Sequence, residues 1–409
     1  MEATATTAAA PEHPAQKRGR FGPAFVTAAL VFGPGSITTA SSLGASFSYD
    51  LVWVPVLATI LMLCFVNLSV RIGLTTDRSP VATVSAKLGR IVGIPVGLGA
   101  FLVAASFQAG NSVGTGAASQ VLFGGNTALF AALFTALAIG FLWLPRFYRN
   151  LEKTMVVIIV AMLAIYVITA IIARPDLGQM ATGLLPSIPS GGSALVVAAA
   201  ATTFSIVGAF YQIQLVREKG WTPAQFHEAR RDAALGSVIL GTLSVVIMIA
   251  AAAVLNPLGA TVSSPADMAV ILEPTLGQGA TVLFALGLWA AAFSSLLGNS
   301  TIGGSMLAGA LGIDRGGLDS KVVKLCITAV LLLGGIVAVV FGGIPVQLIL
   351  TAQAVTILVV PMIGIALVVL ARSRDRGSLR IGAAQLTLAL FGVLFLLVLA
   401  VQYIVSLFG

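Results

Sequence analysis

Eleven long, nearly uninterrupted apolar stretches run along the chain, each able to cross a hydrocarbon core of ~30 Å as a helix rising 1.5 Å per residue. They lie near residues 22–47, 52–75, 91–123, 127–144, 153–173, 195–217, 234–255, 277–307, 322–342, 346–371 and 382–408. The third and eighth are long enough to be tilted or to include re-entrant ends. The pattern predicts an all-α integral membrane protein with 11 transmembrane helices. Residues 1–20 are rich in Ala, Thr and Pro without periodicity, the expectation for a disordered cytoplasmic tail, and residues 21–409 read as a single membrane domain. The tail is not a signal peptide, because the apolar run begins only after Lys17, Arg18 and Arg20 and is too long for an h-region.

Composition sharpens this picture. Apolar residues make up 58% and charged residues 9% of the chain, with a mean hydropathy of +1.04, against about 25% charged residues in soluble domains. Cys64 and Cys326 both sit inside apolar runs, where a thiol is a small core residue, and carry no compartment information. The net charge of +8 could point to nucleic acid, but its distribution points elsewhere. Counted on alternate sides of the spans, 21 of the 22 Lys and Arg residues fall on one side and Arg174 alone on the other. An even number of spans would destroy that separation. The basic excess is therefore a topology signal that excludes nucleic acid as a partner and leaves the lipid bilayer. It predicts a multi-pass protein of the cell (plasma) membrane, with the N terminus cytoplasmic and the C terminus extracytoplasmic.

The first span is interrupted. After Phe25 to Phe32 it meets Gly33, Pro34, Gly35 and Ser36 before Ile37, Thr38 and Thr39 resume. Pro34 removes a backbone donor and biases Gly33 away from the α region, and two glycines lower the cost of unwinding. A discontinuous helix would turn the carbonyls of residues 30–33 toward a central cavity and make the amides of Gly35 to Thr38 the positive end of a second half-helix. In an inverted-repeat carrier the sixth span should run the opposite way and also break. It does run oppositely, and Thr202-Thr203-Phe204-Ser205-Ile206-Val207-Gly208 puts polar residues and a glycine at its middle.

These residues carry a family resemblance. Gly22-Pro23-Ala24-Phe25, the Pro34-Gly35 break, Gly44-Ala45-Ser46-Phe47-Ser48-Tyr49, Leu51-Val52-Trp53-Val54, Leu184-Leu185-Pro186-Ser187-Ile188-Pro189 and Gln353 resemble the Nramp (natural resistance-associated macrophage protein) family of divalent metal transporters. The resemblance covers essentially the whole membrane domain. It implies a LeuT-like fold of two inverted five-helix repeats, about 21–173 and 195–371, with discontinuous helices 1 and 6 and an extra helix at about 382–408.

The family's metal ligands do not carry over. Its first break reads Asp-Pro-Gly-Asn, where this chain has Gly33 and Ser36 at the Asp and Asn positions, and its sixth-span Met-Pro-His falls on Ile206, Val207 and Gly208. The two histidines, His13 and His227, lie outside the spans, and the fourteen carboxylates fall in the tail, loops or helix ends. A dehydrated divalent ion would meet no anionic partner there. What remains near the breaks is Gly33, Gly35, Ser36, Thr38 and Thr39 from the first span, Gln108 and Asn111 from the third, and Ser205, Gly208, Tyr211 and Gln212 from the sixth. Hydroxyls, amides and helix N-termini suit a small polar, carboxylate-bearing or anionic solute. The sequence reading is thus an alternating-access transporter of such a solute that has left transition metals, with no cofactor and no resident metal. Two alternatives stay open: a divalent cation carrier, such as one for hydrated Mg²⁺, and a non-transporting sensor on the carrier fold. An enzyme is not expected, since no intramembrane His, Asp or Glu offers acid–base chemistry.

Overall fold

The computed structural model describes residues 31–144, 147–260, 262, 277–313, 317–341, 356–373 and 379–408. Along these run α1 (Pro34–Phe47), α2 (Trp53–Gly73), α3 (Pro80–Leu88), α4 (Arg90–Phe123), α5 (Thr127–Trp143), α6 (Phe147–Ile172) and α7 (Leu177–Thr182). There follow α8 (Ser193–Thr203), α9 (Ile206–Glu218), α10 (Phe226–Val254), α11 (Gln278–Ala310), α12 (Lys321–Val340), α13 (Val360–Ala371) and α14 (Ala383–Phe408). Each predicted span overlaps a helix. Among the described residues seven helical segments are long and apolar enough to cross a membrane, and Thr127–Trp143, Leu163–Ile172 and Thr356–Ala371 are shorter apolar helices. The start of the first span and residues 346–355 of the tenth, Gln353 among them, lie outside the described residues.

Two short helices escape a hydropathy reading because capping, and not apolar length, makes them. α3 starts at Pro80, whose fixed φ suits a first helical position, and the Ser79 hydroxyl accepts the Ala82 N–H at 3.3 Å. α7 is capped by Asp176, whose carboxylate accepts the N–H groups of Gly178 at 2.8 Å and Gln179 at 3.0 Å. The Gln179 N–H foremost holds that carboxyl below the usual range. α10 begins well before residue 234, since Glu228, Arg230, Arg231 and Asp232 carry the helix into water where hydropathy falls silent.

The packing follows the order of the spans. α4 and α11, the third and eighth spans, share the most extensive interface, and α2 and α10, the second and seventh, also pack together. Elements five spans apart therefore meet in the packed core. α1 lies against α10 and α8. Connections are held across the chain by side chains donating to backbone: Trp53 Nε1 to the Ser187 carbonyl at 3.0 Å, Asn256 Nδ2 to the Ala45 carbonyl at 2.8 Å, and the Arg217 guanidinium to the Asp77 carbonyl.

The close approach of α1 to α10 needs Gly44. A Cβ there would run into the Met248 carbonyl and stand 2.7 Å from the Ala252 nitrogen and 2.9 Å from the Ala251 Cβ. Backbone cannot yield as a flexible side chain can. Gly44→Val should therefore destabilise the fold by about 1–3 kcal/mol through overpacking, read as a lower thermal midpoint of the purified protein in detergent; an unchanged midpoint would show that α1 and α10 can separate freely.

Candidate substrate site

Both predicted breaks are present, displaced slightly from their sequence placement. Val31 is helical, Phe32 and Gly33 are not, and α1 begins at Pro34, so Gly35 and Ser36 belong to the first turn of the second half-helix. In the sixth span the interruption is Phe204–Ser205, and Ile206 to Gly208 already belong to α9. The proline accounts for the first shift: with its φ fixed and no N–H to satisfy, it starts a helix more readily than it prolongs an unwound segment.

The freed backbone groups find partners. The Gly33 carbonyl accepts the N–H of Ser36 at 3.0 Å and of Ile37 at 3.2 Å, and the Phe32 carbonyl accepts the Ser295 hydroxyl of α11 at 2.9 Å. At the second break the Phe204 N–H donates to the Ala200 carbonyl at 2.8 Å, and the Ser205 carbonyl accepts the Ala209 N–H at 2.8 Å. The Phe204 ring is buried edge-on against Phe65 of α2, with centroids 5.1 Å apart, which fixes the turn.

Between the two breaks lies a small, partly open cavity of about 20 Å³, room for one water-sized particle. Its polar lining is Ser36 of α1, Thr202 of α8, Ser205, and Asn299 of α11, and its apolar lining includes Val31, Val103, Phe107, Ile206 and Val360. The Thr202 hydroxyl donates to the Ala199 carbonyl at 3.1 Å, which leaves its lone pairs for a guest. No sulfur and no charge are among these lining residues. Among the described residues no three His, Cys, Asp or Glu side chains come together.

A second small cavity, about 10 Å³, continues from the first. Val31 and Gly208 line both, forming a neck, and beyond it stand Gln212 of α9 and Ser237 of α10. The Gln212 Nε2 is buried without a partner.

The structure thus sorts the sequence candidates. Ser36, Ser205 and Gly208 line the central cavity, and Gln212 lines the second. Gln108 instead bridges α4 to α11, its Nε2 donating to the Leu296 carbonyl at 2.8 Å and its Oε1 accepting from Asn111 Nδ2 at 3.4 Å. Thr39 donates to the Gly35 carbonyl at 2.7 Å. Gly33, Gly35, Thr38 and Tyr211 are buried in the frame around the cavity and not in its lining. The expected positive terminus is smaller than the sequence suggests, because the Ser36 and Ile37 N–H groups both go to the Gly33 carbonyl.

Thr202 and Asn299 are the additions. An amide inside the apolar eighth span was a legible signal, since polar groups in a membrane helix face its interior. Gly33 gains a reason as well. A Cβ at this position would come within 2.8 Å of Asn111 Oδ1 and 2.9 Å of Ser295 Oγ, so a side chain here would require those two polar groups to move.

Comparison with known proteins places this architecture. The family model described as natural resistance-associated macrophage protein-like matches residues 24–406. A protein named divalent metal cation transporter MntH from Pectobacterium carotovorum is 27% identical over 72% of this chain and 73% of its own length. One of the same name from Aeromonas hydrophila is 25% identical over 70% and 72%. Among solved structures, an Eremococcus coleocola manganese transporter superposes with a TM-score of 0.73 at 19% identity, over 95% of this chain and 87% of that one. MhsT in complex with L-phenylalanine superposes at 0.64, with 14% identity over 93% and 100%. The match across nearly all the helices, with both breaks in place, makes this chain a member of the Nramp family of membrane transporters, with a LeuT-like fold.

Proposed function

We propose that the chain carries a small, hard divalent cation of the Mg²⁺ class across the cell membrane by alternating access, the ion keeping part of its water shell. The observation that carries this reading is the polar lining of the central cavity, which consists of hydroxyls and one amide with no charged group and no sulfur. Ser36, Thr202, Ser205 and Asn299 offer hydroxyl and amide oxygens, with the carbonyl end of α8 beside them. Mg²⁺ prefers oxygen and gives up its waters reluctantly, so it can be held through water by groups too weak to strip it. A fully dehydrated ion would incur a desolvation cost of several kcal/mol with no carboxylate to offset it.

The same lining argues against a softer cargo and an organic one. Transition metals of borderline softness favour sulfur and nitrogen ligands, and Ile206 stands at the position of the family's Met. Two of the amides expected to receive a carboxylate-bearing solute are committed to the Gly33 carbonyl. The relatives with printed functions move metals, which lends the anionic reading no support.

In this mechanism the central cavity is sealed on the side of the second cavity by the Val31 side chain against Gly208. Separation of these two would let the ion pass to Gln212 and Ser237, along α9 and α10 toward their basic ends at Arg217 and Arg230. The sidedness of the basic residues makes that end cytoplasmic. Gly208→Val would place a side chain 2.8 Å from Ser205 Oγ and 3.4 Å from Val31 Cγ2 and close the neck. Uptake into proteoliposomes should slow by about tenfold or more, a barrier increase of roughly 1.4 kcal/mol, with the folded yield retained; wild-type rates would remove the neck from the route.

Calorimetry of the wild-type protein should show no micromolar Mn²⁺ or Cd²⁺ site, whereas Mg²⁺ should enter proteoliposomes saturably. A tight Mn²⁺ site lost on Ser36→Ala would return the chain to transition-metal transport.

Ser36 provides the test of charge. Ser36→Ala should weaken Mg²⁺ binding by about 0.5–1.5 kcal/mol. Ser36→Asp adds a carboxylate at the cavity wall and should tighten it by ~1 kcal/mol or more at the intermediate dielectric of such a site. An anionic substrate would instead be repelled by the Asp variant. Uptake of both Mg²⁺ and carboxylates that is indifferent to either change would move the site elsewhere.

A further inference from the structure

We propose that the cargo is received a second time, on the far side of the neck from the central cavity, at a polar station made by Gln212 of α9, Ser69 of α2 and Ser237 of α10. This rests on the transport reading above and deepens it, by naming the groups that meet the hydrated ion once Val31 and Gly208 part.

Gln212 is the anomaly that points there. The residue is 1% exposed, and its Nε2 has no hydrogen-bond partner. The void it lines is walled by aliphatic and thioether groups, Met62, Val66, Ala233 and Leu240 among them, with Ser237 as the other polar side chain. An amide left without an acceptor in such surroundings costs stability that an apolar side chain of the same length would not.

The same defect recurs on the helix opposite. Ser69 Oγ is also buried without a partner. Met62, Val66, Ser69 and Gly73 follow one another at spacings of four, three and four, so they share one face of α2. Both ends of that face are fixed against the same neighbours. Met62 and Val66 line the void with Gln212, and a Cβ on Gly73 would stand 2.9 Å from Val216 Cβ and 3.0 Å from the Ile213 carbonyl of α9. Ser69 falls between them, on the side of α2 that is turned to α9.

Ser237 supplies the third side. Its hydroxyl donates to the Ala233 carbonyl at 3.0 Å, which leaves its lone pairs to accept. Two hydroxyls and a carboxamide both donate and accept, so together they suit the water shell of a cation and would hold it without stripping it. The unpaired groups also raise the energy of the empty station, which favours entry of the ion with its waters. The path between the two stations follows one helix face. Ser205 at the N-cap of α9, Gly208 and Gln212 lie three and four residues apart and descend that face by roughly 10 Å. Ser205 lines the central cavity, Gly208 both cavities, and Gln212 the second.

The test measures Mg²⁺ uptake by the full chain in proteoliposomes over a range of concentrations, together with the thermal midpoint and the calorimetric Mg²⁺ affinity of each variant in detergent. Gln212→Met removes the amide at nearly constant length. Its thermal midpoint should rise above that of the wild type, because the unpaired donor is gone. Its maximal uptake rate should fall by about threefold to tenfold, the effect of losing one hydrogen bond in transit, while the Mg²⁺ affinity of the central cavity stays unchanged. Ser69→Ala should move both readouts the same way, and Gln212→Asn, which keeps an amide, should retain more of the rate than Gln212→Met. A lowered midpoint in Gln212→Met would show that the amide is satisfied in the resting protein, by a structural water only, and would overturn the proposal. So would a loss of Mg²⁺ affinity equal to the loss of rate, which would place the effect at the first site. Should Gln212→Met fail to fold, Ser69→Ala decides by the same readouts. Wild-type uptake that persists unchanged in both variants removes the station alone, whereas a wild-type protein that admits no Mg²⁺ removes the cation reading and the station with it.

Discussion

Everything at the centre of this molecule depends on one constraint: in a bilayer, backbone N–H and C=O groups that lose their helical partners must find others within the protein. Two helices are cut in mid-membrane here, and each cut is tolerated because specific groups take up the freed backbone. The Phe32 carbonyl receives the Ser295 hydroxyl and the Gly33 carbonyl receives two amides from the helix it introduces. At the other break Phe204 and Ser205 keep backbone partners on either side, while the Phe204 ring is locked by Phe65. The cavity exists between these two repairs. Its polarity is the remainder of the hydrogen-bonding groups that the repairs did not consume.

That remainder is small and, in the lining of the cavity, uncharged. At Gly33 a side chain would require Asn111 and Ser295 to move, and at Gly208 its room is limited by Ser205 and Val31. Such a lining offers a guest several neutral hydroxyl and amide contacts and no charge. The close packing of α1 on α10 through Gly44, and of α4 on α11 through Gln108, supplies the rigid frame against which the broken segments can move.

The chain outside the core is organised by a different force. Basic residues gather at one face, where Arg71 lies over the Phe226 ring, Arg217 holds the backbone at Asp77, and Lys219, its ammonium disfavoured first by burial, pairs with Asp232. These contacts hold the short connections in place without placing any charge in the membrane core. The split between a neutral interior and a cationic rim lets one chain be both firmly oriented and electrically quiet around its cargo.

The apolar helices and the first break were legible in the amino-acid order. They follow from properties that each residue carries alone: transfer free energy from water, and the fixed φ and missing N–H of Pro34. The short helices α3 and α7 and the aqueous start of α10 were less legible, since caps such as Ser79 and Asp176 act over one turn and leave no hydropathy signal. Which polar side chains line the central cavity was decided only by the tertiary structure. Gln108 is drawn to a carbonyl 188 residues away in α11, and Thr39 to its own helix, while Asn299 from that same α11 enters the cavity. Whether a hydroxyl or amide in such a helix finds a partner, and which one, is fixed by how distant helices pack, which no residue determines by itself.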